Sequence, residues 1–457
     1  MEVQFLPLQM SIDLLTLLIF ISILFTVLEF KQNKINTIYT LLFIAFLYSV
    51  LNFGDYFSVI MFNLDSWKYF FLFFIIGLYF VIFNLIEEET FDVYCLSLLA
   101  FLGSILLVIC DNLITLYLGL ELQTFSIFVL IAKNRSSIKS SEAGLKYFIL
   151  GAISSGFYLL GLTIMLLSGY SLELKEVVIV SSEYVNIISL IFISLSFCFK
   201  LSIFPLYFWI PDIYEGSSWD IISLISTLPK VSVICILMQI LMNSNMLLGF
   251  AILSIMVGTL GALNQSKIKR LLAYSGVSHM GFILLGYSML SKEGYIISNL
   301  YLFIYMLMMI SLFIIIIDSS FNNKYIIELG GLRFINKIFS ITFILLILSV
   351  AGIPPLSGFI SKWFLLWTSV EYHYNISAFV IILFSAIGAG YYLRLVKIIY
   401  FQQKSSYFLW KNILRSSEGK EDLNLLVLGF LFYICLFLII NFSFIVDLIS
   451  INVINLF

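Results

Sequence analysis

The chain has 457 residues, 62% of them hydrophobic, with 24 basic and 26 acidic residues for a net charge of -2. Only 11% are charged, where a soluble domain carries about 25%, and the mean hydropathy is +1.10. These values exclude a soluble globular protein and a basic surface for nucleic acid; they describe a polytopic membrane protein with no aqueous domain of its own.

In chain order, apolar segments fall near residues 12–30, 35–53, 67–86, 92–110, 112–132, 143–168 and 186–210. A second set follows near 219–243, 246–264, 270–290, 296–318, 338–370, 376–401 and 423–445. At roughly 20 apolar residues per crossing, the pattern predicts an all-α protein of about 14 transmembrane helices, because lipid offers backbone polar groups no other partner. The opening Met1-Glu2-Val3 runs straight into the first apolar segment, so neither a signal nor a transit peptide is expected. Of the 24 basic residues, 18 fall in the odd-numbered connections, among them Lys139, Lys146, Lys267, Lys269 and Arg270. Only Lys68, Lys175 and Lys292 are assigned to the even connections and the termini. The positive-inside rule then puts the odd loops in the cytoplasm or matrix and both termini on the opposite side.

Five cysteines all lie in apolar stretches without a CxxC, and there are two histidines. Disulfides, zinc and cysteine-held iron-sulfur clusters are therefore not expected, and no nucleotide-binding glycine motif is present.

Three lysines sit inside crossings: Lys200 in SFCFKLSIFP, Lys230 in STLPKVSVI and Lys362 in GFISKWFLL. Glu121, in LYLGLELQTF, lies mid-way along the fifth. Each such charge costs about 2.5 to 3.5 kcal/mol at a helix centre on the insertion scale. Taken singly, each reads as readily as a snorkelling or structurally paired residue; four together point to a buried polar track suited to protons. Five of the six prolines, Pro205, Pro211, Pro229, Pro354 and Pro355, fall in or beside the same three crossings. A packing kink explains any one of them, but not their association with the lysines. Broken helices are tolerated in a membrane where they line a polar cavity. Lys200 precedes Pro205 by five residues, whereas Lys362 follows Pro354 by eight. Opposite order on crossings seven and twelve, which run in opposite directions, predicts two inverted five-helix repeats with broken helices 7 and 12. The chain then divides into a three-helix segment (1–91), a first repeat (92–243, helices 4–8), a second repeat (244–401, helices 9–13) and a polar loop with a last helix (402–457).

His279, in YSGVSHMGF, reads equally as a hydrogen-bonded core histidine or as a relay beside lysines. His373 beside Glu371 is expected in solvent, and Glu142 with Lys146, four apart on one helix, as a structural ion pair. The acidic run Glu87-Glu88-Glu89 reads as a solvated or subunit-contacting face. The aromatic content of 17% reads mostly as lipid-facing bulk.

At FKLSIFPLYFWIPDIYEGSS (residues 199–218) the sequence resembles the antiporter-like, proton-pumping membrane subunits of respiratory complex I. The version Trp209-Ile210-Pro211-Asp212-Ile213-Tyr214-Glu215-Gly216 is similar to the NADH dehydrogenase subunit 2 branch of that family. Further likeness lies in EAGLKYFILGAISSGFYLLG (142–161), QSKIKRLLAYSGVSHMGF (265–282) and AGIPPLSGFISKWFL (351–365), so that roughly residues 110–400 are covered. Tyr207 stands where relatives often carry histidine, and Ser217-Ser218 replace the usual Ala-Pro. The resemblance implies that Glu121 pairs with Lys200 on the broken seventh helix, that Lys230 is the central lysine and Lys362 the terminal one, and that His279 matches the family histidine. It implies proton translocation by a membrane-arm subunit of NADH:quinone oxidoreductase. It further implies that no cofactor is bound by this chain and that NADH, FMN, iron-sulfur clusters and quinone belong to partner subunits, among them the other membrane subunits and the peripheral redox arm.

Two rival readings stay open. An Mrp-type cation/proton antiporter subunit shares the lysines and broken helices, though the Asp212 to Gly216 element argues against it; a non-pumping membrane scaffold would make the buried charges structural. Forty-six Phe against 12 Ala suggests an AT-rich genome and, with no presequence, a mitochondrial inner membrane, a bacterial plasma membrane being the alternative.

Overall fold

The computed structural model describes residues 66–86, 91–134, 136–168, 174, 184–240, 244–318, 325–330, 337–401, 422–437, 445–447 and 449–450. The first two expected crossings, Glu87 to Glu89, Lys175 and the polar stretch 402–421 lie outside these residues. Among the described residues the chain is helical almost throughout. Its α-helices are α1 (Ser66–Leu85), α2 (Phe91–Ile109), α3 (Leu113–Ile131), α4 (Ile138–Leu167), α5 (Tyr184–Leu201), α6 (Trp209–Gly216) and α7 (Trp219–Gln239). They continue with α8 (Ser244–Leu263), α9 (Ile268–Ser288), α10 (Lys292–Asp318), α11 (Lys337–Ala351), α12 (Ser357–Glu371), α13 (Asn375–Phe401) and α14 (Asp422–Phe437). Eight of them, α1 to α4, α7, α8, α10 and α13, are long and apolar enough to cross a membrane.

Local signals set the ends. Asn112 starts α3, its side-chain oxygen accepting from the Ile114 amide at 3.0 Å, which satisfies one of the donors every helix start leaves open. Leu201 and Ala351 end α5 and α11, and Pro205 and Pro354-Pro355 fall in the gaps before α6 and α12. α7 instead runs unbroken through Pro229. The missing bond there is one rung, and the turn before it is crossed by side-chain bonds from Ser226 and Thr227 to the Ser223 carbonyl at 3.0 and 2.8 Å.

The bundle is built around α7 and α10. The apolar window of α7 is wholly buried and that of α10 nearly so, whereas α4, α8 and α13 bury less than half of theirs. α7 packs on α1, α2, α5 and α10, and α10 on α9, α12 and α14. α8 and α9 form the tightest pair: a Cβ on Gly258 would stand 2.5 Å from the Ser278 amide nitrogen, so only glycine permits that approach. α9 is long enough to cross but carries Ser275, Ser278 and His279; it is enclosed by its neighbours over nearly its whole length.

Two sequence expectations are corrected. Lys68 is not in a loop: it lies in the first turn of α1, 4% exposed, where it pairs with Asp111 between α2 and α3. The acid supplies the opposite charge that lets the ammonium leave water. Nor, among the described residues, are the aromatics mainly lipid-facing, since Tyr79, Tyr158, Tyr214, Tyr301, Tyr305 and Tyr392 are among the most completely buried large side chains. A tyrosine hydroxyl needs a polar partner, and in a membrane protein such partners lie inside.

Candidate functional site

The first interruption follows α5. Ser202 takes a left-handed conformation, φ 57°, and the chain turns through Pro205 before α6 resumes. Lys200, in the last turn of α5, is 7% exposed, and its Nζ donates to the Leu120 carbonyl of α3 at 3.4 Å. Glu121, the next residue, is half-buried and accepts from Thr124 Oγ1 at 3.2 Å. The two residues expected to pair are thus brought to the same place, but no direct Glu121–Lys200 ion pair is formed among the described residues; Lys200 reaches the backbone beside the acid.

Lys230, at the centre of α7 next to Pro229, is 1% exposed. Its ammonium lies 5.8 Å from the centre of the Tyr305 ring. The opposite extreme is Lys362 on α12, which is part-buried rather than fully enclosed. Its Nζ donates to the carbonyls of Ala351 at 2.7 Å and Val350 at 3.3 Å, the free end of α11. The partial negative charge at a helix C-terminus favours a cation there.

His279 sits between the two lysines. Its Nδ1 and Nε2 lie 2.9 Å from Tyr301 Oη and 3.3 Å from Tyr392 Oη, and its ring stacks on Tyr305 with centroids 5.0 Å apart. Phe282 bridges onward, 6.4 Å from His279 by ring centres and 5.9 Å from the Lys362 ammonium. The tyrosines around His279 were missed in the sequence, where they are indistinguishable from lipid-facing aromatics.

A second missed feature is a charged clasp at the basic face. Asp212 and Glu215, three apart on α6, receive bases from two distant helices. From α4, Lys146 meets Asp212 at 2.8 Å and Lys139 meets Glu215 at 2.5 Å; from the start of α9, Arg270 meets Asp212 at 2.7 Å and Lys267 meets Glu215 at 2.5 Å. The expected Glu142–Lys146 pair is present at 2.6 Å but is only part of this network. Burial works against the Glu215 charge, yet hydrogen bonds from Lys139 and Lys267 outweigh it and hold the carboxyl down at about 2. A depressed carboxylate contributes stability above its ordinary range and loses it as pH falls toward 2, so the clasp is constant through neutral pH. The one sequence signal for it was the concentration of bases in QSKIKR opposite the acids of PDIYEG. His373 is exposed, as expected.

Fold and site together define a polytopic helical membrane protein whose lysines gather at interrupted helices and prolines. Residues 110–388 match the family profile described as NADH:quinone oxidoreductase/Mrp antiporter, TM, and the chain belongs to that family. It is 39% identical over 356 residues to NADH-ubiquinone oxidoreductase chain 2 of Metridium senile, covering 76% of this chain and 92% of that one. It is 36% identical to NADH-quinone oxidoreductase subunit N of Coxiella burnetii, covering 68% of each. The fold is similar to a chain of respiratory complex I from Thermus thermophilus, with TM-score 0.83, 24% identity, and 95% and 98% of the two chains covered. It is equally similar to a chain of the Mrp complex from Dietzia sp. DQ12-45-1b, with TM-score 0.84, 18% identity and 97% of each chain covered. The resemblance read from residues 199–218 is thus one of family.

Proposed function

We propose that this chain is the proton-translocating membrane-arm subunit of an NADH:quinone oxidoreductase, and that protons move along Lys200, Lys230 and Lys362 with Glu121 and His279 as accessory groups. The observation that carries the reading is the placement of all three lysines at or against a helix end or a proline, where bare charge would otherwise be too costly to keep. Opposite charge near Lys200 holds a proton on its amine. When that influence weakens the proton passes to Lys230, and from there past His279 and its tyrosines to Lys362. NADH, FMN, iron-sulfur clusters and quinone act in partner subunits, and redox chemistry reaches this chain as a remote bias on the first pair. The same reading gives 14 crossings, inverted repeats over 92–243 and 244–401 flanked by 1–91 and 402–457, and both termini on the intermembrane-space or periplasmic side of a mitochondrial inner or bacterial plasma membrane. The names of the sea-anemone and bacterial relatives support it.

Lys230→Met tests the reading. The complex should assemble, and quinone reductase activity and proton pumping should fall together, because a blocked relay stalls coupled turnover. Normal pumping would remove Lys230 from the path. The likeness to the Mrp complex supports an antiporter as the second reading; sodium-driven proton exchange by the reconstituted chain without redox partners would favour it.

A further inference from the structure

One contact spans the first break and is not used by the lysine relay. Trp209, the first residue of α6, is buried, and its Nε1 donates to the Phe199 carbonyl of α5 at 3.0 Å. That oxygen already accepts from the Ser202 amide at 3.0 Å, so the indole takes its second lone pair. The Phe199 ring is held as well. Its centroid lies 5.1 Å from that of Trp209 and 5.8 Å from that of Tyr147 of α4, and Tyr147 meets Trp209 edge-on at 5.3 Å. Backbone and side chain of the residue before Lys200 are therefore both fixed from outside α5. α6 is itself anchored: Asp212, three residues after Trp209, pairs with Lys146, the neighbour of Tyr147 on α4, and with Arg270 of α9.

The second break shows what this contact replaces. There the helix beyond sends Lys362 back to the Ala351 and Val350 carbonyls at the end of α11. In the first break the helix beyond sends back an indole, which brings a donor but no charge. A second ammonium in that place would repel Lys200. The neutral N–H ties the two helices together and leaves Lys200 free to reach the Leu120 carbonyl beside Glu121. We propose that Trp209 is a positioning residue for Lys200: its indole N–H pins the last turn of α5 through the Phe199 carbonyl and so keeps the ammonium within the influence of Glu121. The proposal rests on the lysine relay above and adds to it a group that carries no proton. Without the indole bond, the turn bearing Lys200 is held by its own short-range amide bonds alone, and the flexible lysine stem gains positions away from α3.

The test uses the assembled complex. A map of the unaltered complex should show Trp209 Nε1 within hydrogen-bonding distance of the Phe199 carbonyl; an indole turned elsewhere would overturn the proposal outright. Trp209→Phe keeps an aromatic ring and removes the donor. It should cut proton pumping several-fold, and in a map of the variant the Lys200 ammonium should leave the Leu120 carbonyl. The functional signature is lost coupling: Glu121→Gln should lower pumping several-fold in the wild-type background and far less in the Trp209→Phe background, a change that general loosening of the fold would not produce. Trp209→His gives up more of the ring but keeps an N–H, and it should pump better than Trp209→Phe. Equal or greater loss in the His variant would mean packing and would sink the proposal, as would an undiminished effect of Glu121→Gln in Trp209→Phe. Displacement of Lys200 in Trp209→Phe combined with normal pumping in Lys200→Met would instead defeat the lysine relay and leave the positioning role standing.

Discussion

The two proline-bearing gaps, after α5 and after α11, end the helices before them in the same way and use the result differently. After α5, the Ser202 amide bonds to the Phe199 carbonyl and the Ile203 amide to the Cys198 carbonyl, both at 3.0 Å. After α11, the Gly352 amide bonds to the Ser349 carbonyl at 3.0 Å and the Ile353 amide to the Leu348 carbonyl at 3.2 Å. With Ser202 at φ 57° and Gly352 at φ 82°, each is a Schellman motif, which closes two carbonyls and leaves the last two open. In the second break those last two, Val350 and Ala351, are taken by Lys362 from the helix beyond. In the first break the lysine stands within the ending turn, at the position Val350 holds in the other, and reaches across to α3. Only the second break therefore presents a helix C-terminus to an ammonium: Lys362 is held by the end of the helix just before its own, whereas Lys200 depends on a carbonyl of α3.

The difference predicts unequal tolerance at the two left-handed residues. Gly352→Ala has the largest expected effect. A Cβ there would stand 2.8 Å from Lys362 Cδ and 3.0 Å from its Nζ, and the positive φ itself costs about 1–2 kcal/mol for an L side chain. Displacing the ammonium from its two carbonyls adds about 1.5–3 kcal/mol for a charged hydrogen bond. Thermal unfolding of the assembled complex should show a destabilisation of about 2.5–5 kcal/mol, accompanied by weakened pumping. A wild-type melting curve would break the account of the second break.

The positions of several helices were legible because apolar length decides: segments 92–110, 112–132 and 219–243 became Phe91–Ile109, Leu113–Ile131 and Trp219–Gln239. Pro205 and Pro354-Pro355 marked real interruptions, since each lies where a helix has already ended. Pro229 did not, because a single lost rung is absorbed in an enclosed helix. What stayed hidden depends on contacts between distant positions. Nothing local in Asp212 announces Arg270, 58 residues on, and Lys68 beside a loop reads as solvated until Asp111 is found against it. The tyrosines around His279 escaped for another reason: hydropathy weighs the ring and ignores where the hydroxyl must go.

A double-mutant cycle on Glu121 and Lys200 sharpens the neighbour dependence of the first break. Because Lys200 bonds to the Leu120 carbonyl rather than to the acid, the coupling acts through space. Glu121→Gln and Lys200→Met together should cost less than the sum of the single losses by about 0.5–1 kcal/mol, at the low end for interacting residues. Glu121→Asp keeps the charge and should retain more pumping than Glu121→Gln. Strict additivity, with Asp no better than Gln, would make Lys200 independent of α3's carboxylate.

Ser202→Gly should have the smallest effect, and its sign is informative. Ser202 is fully buried in a left-handed conformation, so glycine relieves about 1–2 kcal/mol of backbone strain. Against that, glycine loses more freedom on folding, about 0.5–1 kcal/mol, and the bond from the Ser202 hydroxyl to the Leu201 carbonyl at 2.5 Å disappears. Donor and bond vanish together, so no side-chain atom is stranded, and the carbonyl alone loses a partner. With about 0.5–1.5 kcal/mol for that lost bond, the balance lies between about 1.5 kcal/mol against the variant and about 1 kcal/mol in its favour, read as a melting temperature close to wild type. Pumping should be untouched, because the Lys200 ammonium bonds to α3 and not to the turn. If Ser202→Gly instead lost as much stability as Gly352→Ala, the hydroxyl would be holding the end of α5 together, and the two breaks would differ in construction as well as in where they place the lysine.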